Sequence, residues 1–121
     1  MKLPKGAVDL AVSQALKSAM THRHGAVIFK SGKIIGAGYN VHMTTKQKSR
    51  AVSIHSEKDC MKGLRGDQIY GANILAVRVT ATGALSHGGP CKGCTKLMKR
   101  KGIERVFWFD ESGDLNCTFL N

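Results

Sequence analysis

Residues 90–109, PCKGCTKLMKRKGIERVFWF, decide the fold. The first part predicts a helix over 91–102, because proline is favoured at a helix start and glycine just past a helix end, and Pro90 and Gly102 occupy those places. The apolar stretch 103–109 that follows predicts a strand. A helix that leads directly into an apolar strand is typical of a sheet covered by helices.

Outward from this segment, helical and strand patterns alternate along the chain. The other predicted elements, in chain order, are a helix over 7–20, a hairpin of strands 25–30 and 33–39, a helix over 55–65, and strands over 72–80 and 115–120. The order α-β-β-α-β-α-β-β predicts an α/β domain that spans residues 1–121, with one mixed sheet and helices on its faces. The last two strands are too close in sequence for a crossover, so they are predicted to pair antiparallel.

Several single positions carry their own predictions. Gly36 and Gly38 weaken the second strand, which indicates that another element approaches its backbone closely. Gly66 is expected to end the helix over 55–65. Residues 40–54 are polar and aperiodic and are predicted to form a long surface loop, as is the shorter stretch 81–89. The helix over 7–20 is predicted to bury one apolar stripe, formed by Val8, Val12, Ala15, Leu16 and Ala19.

Composition and charge exclude several classes of protein. The chain has 121 residues, 42% hydrophobic, with 19 Lys+Arg against 8 Asp+Glu and a formal net charge of +11. The apolar fraction is too high for a disordered basic tail. No apolar run reaches the roughly 18 residues of a membrane helix, and the N-terminus lacks the apolar core of a signal peptide. We therefore expect a cytoplasmic protein without a membrane partner. Its charge either serves an anionic partner or only maintains solubility.

Two short segments carry the chemistry, each at a predicted helix start. They are His55-Ser56-Glu57 and the pair Cys91 and Cys94. One imidazole and two thiolates are three ligands for a tetrahedral Zn²⁺ and leave a fourth position for water. A helix N-terminus favours the thiolate form of cysteine. Glu57 would lie near the metal as a proton acceptor without being a ligand.

Two other interpretations of these residues stay open. A structural zinc site would need a fourth ligand, with Cys60, Cys117 and His87 as candidates, and the two cysteines could instead form a redox pair. Cys60 lies about 140° around the helix from His55, so it is predicted to be a buried thiol. Cys117 lies in an apolar strand and is predicted to be part of the core. The redox interpretation gives Glu57 no role.

The chain resembles the cytidine and deoxycytidylate deaminase family. The two segments together match the H-x-E…P-C-x-x-C signature of zinc nucleobase deaminases. GAVI at 25–28 with IIGAGYN at 34–40, and GIERVFWF at 102–109, are similar to the first hairpin and the fourth strand of that family. The resemblance implies a three-layer fold with a mixed five-stranded sheet, and a catalytic zinc ion.

Carried over residue by residue, the resemblance assigns roles to six positions. It implies that His55, Cys91 and Cys94 hold zinc and that Glu57 moves protons. Asn40 matches the family asparagine that contacts the sugar, although an asparagine there is also an ordinary turn residue. The backbone N–H of Ser56 would face the carbonyl oxygen of the base.

Further candidate substrate contacts come from the residues beside these motifs. His22, Arg23 and His24 either form a solvated loop or contact phosphate or base at the pocket rim. His87 and Pro90 precede the first cysteine by a few residues and are also candidates. A histidine at this position would suit the surface equally well. Seven basic residues form either a phosphate track or solvated surface: Lys46, Lys48, Arg50, Lys96, Lys99, Arg100 and Lys101.

The sequence thus predicts a zinc-dependent enzyme that hydrolyses the amino group of a cytosine base. The substrate is expected to carry phosphate, and deoxycytidylate or cytidylate comes first. Single-stranded DNA or RNA is the alternative within this chemistry, although only 6% aromatic residues are available for stacking. Guanine-type or pterin-like bases would use the same residues. The rival from another class is a non-catalytic zinc module that binds nucleic acid. Assembly into a homo-oligomer is compatible with any of these.

Overall fold

A computed structural model describes residues 3–44 and 51–120. The helices are Ala7–Leu16 (α1), Ser56–Cys60 (α2), Gly66–Ile69 (α3) and Lys92–Lys101 (α4). The strands are Arg23–Lys30 (β1), Lys33–Tyr39 (β2), Val41–Thr44 (β3), Ala51–Ile54 (β4), Asn73–Val79 (β5), Leu85–Ser86 (β6), Arg105–Phe109 (β7) and Leu115–Phe119 (β8). None of these described helices is long and apolar enough to cross a membrane.

The main sheet has the strand order β2-β1-β5-β7-β8, and the short β6 pairs with β5. β5 and β7 run parallel, because α4 carries the chain back between them, whereas the other pairs in this sheet are antiparallel. The predicted mixed sheet of five strands and its antiparallel final pair are confirmed. β6 is a sixth strand that the sequence did not predict.

Helices cover both faces of the sheet. Successive side chains of a strand point to opposite faces, so Val27 and Phe29 of β1 pack with α1 while Ala26 and Ile28 pack with α2 and α4. Each face has its own buried apolar cluster. The predicted three-layer α/β fold is confirmed, and the layer with α2 and α4 is the one that carries the two sequence motifs.

α1 is shorter than predicted and buries only part of the predicted stripe. It ends at Leu16 rather than at residue 20, and Leu16 is 46% exposed. Ala15 is fully buried as predicted, together with Ala7 and Ala11, and the predicted Val8 and Val12 are only partly buried. A Cβ placed on Gly25 would collide with the Ala11 carbonyl oxygen. The helix lies so close to β1 that only alanine methyl groups fit between them, which displaces the larger side chains from the centre of the contact.

The helix predicted over 55–65 is wrong in its length. α2 stops at Cys60, and Gly63 then adopts a left-handed conformation with φ 81° that most residues avoid. Gly66 does not end a helix but begins α3. The chain therefore makes two short helical pieces here, with the turn between them set by Gly63.

The loop predicted over 40–54 contains a second, two-stranded sheet. β3 and β4 pair antiparallel from Val41↔Ile54 to Thr44↔Ala51. Lys46, Lys48 and Arg50 lie outside the described residues, so their part in a phosphate track stays a prediction. The loop predicted over 81–89 likewise contains β6.

The predicted locations of the two remaining cysteines have different outcomes. Cys60 is 1% exposed, as predicted. Cys117 is exposed, and its predicted place in the core is wrong. β8 is the last strand of the sheet, and most of its side chains are exposed, because α1 packs on β1, β5 and β2 rather than on this edge.

Close packing of α2 on β2 explains the glycines of that strand, as predicted. A Cβ on Gly36 would lie 2.6 Å from the Cys60 carbonyl oxygen, and one on Gly38 would lie 2.6 Å from the Cys60 backbone nitrogen. Contacts this short are not tolerated, so the two glycines allow α2 to sit directly on the strand. This contact fixes the position of the first motif.

We expect Gly38→Ala to lower the free energy of unfolding by about 1–3 kcal/mol, because the added methyl group must push α2 away from β2. Gly66→Ala is the matched control, since nothing lies within 4 Å of a Cβ at that helical position. Urea denaturation of both variants measures the difference. Equal stability of the two variants would show that α2 does not need the glycine.

Candidate metal centre and active site

The residues of the two motifs converge because each stands at the start of a helix. His55 is the residue that caps α2, and Cys91 caps α4 with its thiol accepting a hydrogen bond from the Cys94 backbone N–H at 3.4 Å. Both caps have the extended backbone conformation that is usual for the residue before a helix. The two helix starts lie on the same face of the sheet and bring the three side chains together.

The three side chains form a compact set of metal-binding atoms. The His55 Nδ1 atom lies 3.1 Å from the Cys94 sulfur and 3.5 Å from the Cys91 sulfur. All the ligand atoms of the three residues lie within 4.8 Å of one another. Nitrogen and sulfur ligands around one tetrahedral zinc ion are about 3.6 Å apart, so one nitrogen and two sulfurs at these distances fit zinc.

Burial sets the protonation of one of these thiols. Burial, and then the negative charge of Glu57, raise the pKa of Cys94 well above its ordinary value. Without a metal, Cys94 is therefore a neutral thiol at physiological pH. Metal binding must release its proton, as expected for a thiolate ligand.

Glu57 is a buried carboxyl group directly beside the metal-binding set, and it lines a cleft together with His55 and Cys91. Its side chain is 6% exposed, and the Ser56 hydroxyl donates a hydrogen bond to Oε1 at 3.0 Å. Burying a carboxylate costs free energy unless hydrogen bonds or a nearby positive charge compensate for its lost hydration. Its place next to the metal-binding set in sequence and in space suits a group that exchanges protons with a bound substrate.

The cleft has a volume of about 260 Å³. This is close to the lower end of the usual range for small-molecule sites, about 300–1,000 Å³. Its walls combine residues from the first motif, from the second motif and the residue before it, from β1 and the segment before it, and from the residue after β2: Met20, His22, His24, Asn40, His55, Ser56, Glu57, Gly89 and Cys91.

Asn40 lines the cleft and also holds its wall together. Its Oδ1 accepts a hydrogen bond from the His24 backbone N–H at 2.9 Å, and its Nδ2 donates to the His22 carbonyl at 2.7 Å. The residue is 5% exposed. The amide retains one more N–H and further lone pairs, so this positioning role leaves room for a substrate contact.

His24 is an uncharged wall of the cleft. Burial, followed by the charges of Arg78, His55 and His22, lowers the pKa of His24 to about 4. Its imidazole is therefore neutral at physiological pH and offers a hydrogen-bonding group rather than a positive charge.

Three of the predicted substrate contacts do not line this cleft. Arg23 donates to the Ala81 carbonyl at 3.4 Å, because neighbouring residues of β1 face opposite sides and only His24 faces the cleft. His87 packs against Trp108 with ring centroids 5.3 Å apart. Pro90 is half-buried directly before Cys91.

Comparison with known proteins gives the family. A profile described as "Cytidine and deoxycytidylate deaminase zinc-binding region" matches residues 1–110. The chain belongs to this deaminase family. Its cofactor is zinc, and His55, Cys91 and Cys94 are close enough together to bind the ion.

One curated relative supports the assignment to this family. The chain is 32% identical over 109 residues to the riboflavin biosynthesis protein RibD of Aquifex aeolicus, a match that covers 87% of the chain but only 27% of RibD. The chain therefore spans about a quarter of the length of this curated relative.

Solved structures of other deaminases share the fold. The dCMP deaminase of the cyanophage S-TIM5 has a TM-score of 0.62 at 18% identity, covering 89% of this chain and 82% of the phage chain. The cytidine deaminase of Mycobacterium leprae has a TM-score of 0.60 at 17% identity, covering 93% and 88% of the two chains.

Proposed function

We propose that this deaminase converts the cytosine base of a phosphorylated substrate to uracil, with water replacing the C4 amino group, which leaves as ammonia, while the base stays attached to its sugar. The observation that carries the proposal is that the buried Glu57 carboxyl lines one cleft with His55 and Cys91, whose donor atoms form a compact metal-binding set with that of Cys94. We treat residues 1–121 as one deaminase domain.

The chain's own residues divide the work. His55, Cys91 and Cys94 hold the zinc ion, which when bound polarises water and makes it a nucleophile at neutral pH. Glu57 takes a proton from the attacking water and delivers a proton to the departing amine at C4. The Ser56 hydroxyl orients the Glu57 carboxyl through its hydrogen bond at 3.0 Å.

The base and sugar are positioned by the walls of the cleft. The Ser56 backbone N–H faces the carbonyl oxygen of the base, and the free N–H of the Asn40 amide contacts the sugar. The neutral imidazole of His24 forms part of the wall without repelling or attracting charge.

A cytosine nucleotide is our first choice of substrate. The cyanophage dCMP deaminase, whose fold this chain shares, has been solved in complex with dCMP and dUMP, at a TM-score of 0.55 and 18% identity. The excess of basic residues supports a substrate that brings phosphate. The same excess motivates the alternative, a single strand of DNA or RNA, for which no comparison gives support.

A second candidate is an amino-bearing heterocycle of riboflavin biosynthesis. The 32% identity with RibD over 87% of the chain favours it. Zinc and Glu57 would serve such a ring by the same hydrolysis.

A panel of substrates tests the proposal. Zinc-loaded protein is incubated in parallel with deoxycytidylate, cytidylate and a labelled single strand that contains cytosine, and ammonia release is measured. We expect turnover of a free nucleotide at least about tenfold faster than of the strand, since the cleft is small and the chain has only 6% aromatic residues on which further bases could stack. If only the strand is deaminated, the proposal that the substrate is a free nucleotide is wrong. The second candidate is tested by complementation: this chain is expressed in a strain that lacks the matched region of its own RibD. Growth of that strain without added riboflavin would favour the second candidate.

A further inference from the structure

A row of side chains crosses the sheet beside the cleft and includes an arginine that the sequence motifs do not use. Arg78 of β5 is the direct cross-strand partner of His24 of β1, in register with Ala26↔Ala76 two residues further along. Ala26 belongs to the apolar cluster on the α2 and α4 face. Because side chains alternate along a strand, His24 and Arg78 point to that same face, where the metal-binding residues lie.

The guanidinium of Arg78 is one hydrogen bond away from the cleft wall. Its Nη2 atom donates to Nδ1 of His22 at 2.6 Å, and His22 lines the cleft. This bond requires a neutral imidazole with its proton on Nε2. Arg78 is thereby held at the rim by a partner that does not neutralise its charge.

This charge has no acidic partner in residues 3–44 and 51–120. The three ion pairs among those residues involve Lys62, Arg65 and Arg105 instead. Arg78 is half-buried, so part of its hydration is lost. Four of its five N–H donors remain after the bond to His22, enough for a two-pronged contact with an anion.

We infer that Arg78 binds the phosphate of the substrate at the rim of the cleft, with His22 as its positioning residue. The inference rests on the proposed deaminase function for the identity of the substrate. It replaces the predicted phosphate contact of Arg23, which faces the other side of β1, and it does not need a charge on His24. A planar guanidinium is suited to two parallel hydrogen bonds with phosphate oxygens.

The test compares two substrates that differ only in phosphate. Arg78→Gln is expected to lower kcat/KM for deoxycytidylate about 10–100-fold, the usual range for a lost charged hydrogen bond, and to leave kcat/KM for deoxycytidine within about twofold. Arg78→Lys should fall between wild type and Arg78→Gln for deoxycytidylate only. The control is Arg65→Gln, which removes the same charge from an exposed arginine paired with Asp67.

Equal losses on both substrates would overturn the inference, since they indicate a structural role, and so would no loss on either. If Arg78→Gln does not fold, the Arg78→Lys variant decides by the same comparison.

Binding of deoxyuridylate and of inorganic phosphate, measured by calorimetry, separates this inference from the proposed function. Suppose that the wild-type protein deaminates neither substrate but binds phosphate at least about tenfold more tightly than Arg78→Gln does. This result would refute the proposed function but support the anion site. Equal binding by the two proteins would overturn the anion site whatever the activity.

Discussion

Replacing Glu57 by glutamine is expected to lower kcat for deoxycytidylate by about 10²–10⁴-fold, the usual contribution of general acid–base catalysis. Glutamine has nearly the same shape and can still accept the Ser56 hydrogen bond, but it cannot take up a proton. Zinc content and thermal unfolding should therefore stay unchanged. Ammonia release, elemental analysis and calorimetry measure the three quantities.

The matched control is Glu104→Gln. Glu104 is 44% exposed, pairs with Arg105 at 3.2 Å, and lies at the end of the sheet opposite His24. Its replacement should change kcat less than about twofold, as is usual for a surface substitution. A Glu57→Gln variant with full activity would refute the mechanism. If both the wild type and that variant bind nucleic acid equally well and neither is active, a non-catalytic zinc module is the better description.

Replacing Cys91 by serine is expected to weaken zinc binding by more than about 100-fold and to abolish activity, because a hydroxyl is a poor ligand compared with a thiolate. Cys91 is exposed, so the change does not disturb the core. Serine is also a favoured residue at a helix start and keeps the cap of α4. Zinc retained after dialysis and kcat/KM are measured on the same sample.

Cys117→Ser is the control for this variant, since Cys117 is also exposed but belongs to β8 and not to the metal-binding set. It should retain its zinc and its activity within about twofold. Full zinc occupancy in Cys91→Ser, or an equal loss in Cys117→Ser, would contradict the assignment of the ligands.

The fold was predictable where local signals agree with the final packing. β5 and β7 are mostly apolar, and α4 has proline before its start and Gly102, with φ 86°, at its end. The β3 and β4 pair was missed because residues 40–54 were interpreted as one polar, aperiodic loop, although Val41–Thr44 alternates apolar and polar residues. The stripe on α1 was misplaced because the depth of burial depends on Gly25 in another element, which periodicity within the helix does not reveal.

The site was predictable to the extent that the chemistry depends on residue type and spacing. The order His55, Glu57, Cys91 and Cys94 indicated a zinc centre before any geometry was known. Arg78, for which we propose an anion contact, was not singled out, although an arginine within a mostly apolar strand was a usable signal. The sequence prediction selected Arg23 rather than Arg78 because it placed the start of β1 at residue 25, two residues too late. The opposite facing of Arg23 and His24 was therefore not recognised.

The most direct test of the central claim is the conversion of deoxycytidylate by zinc-loaded protein in ¹⁸O-labelled water, followed by mass spectrometry. We predict deoxyuridylate that carries a single ¹⁸O at C4, with an equal amount of ammonia, and loss of both products when a chelator removes the zinc. Fully zinc-loaded, folded protein that leaves deoxycytidylate unchanged would contradict the account.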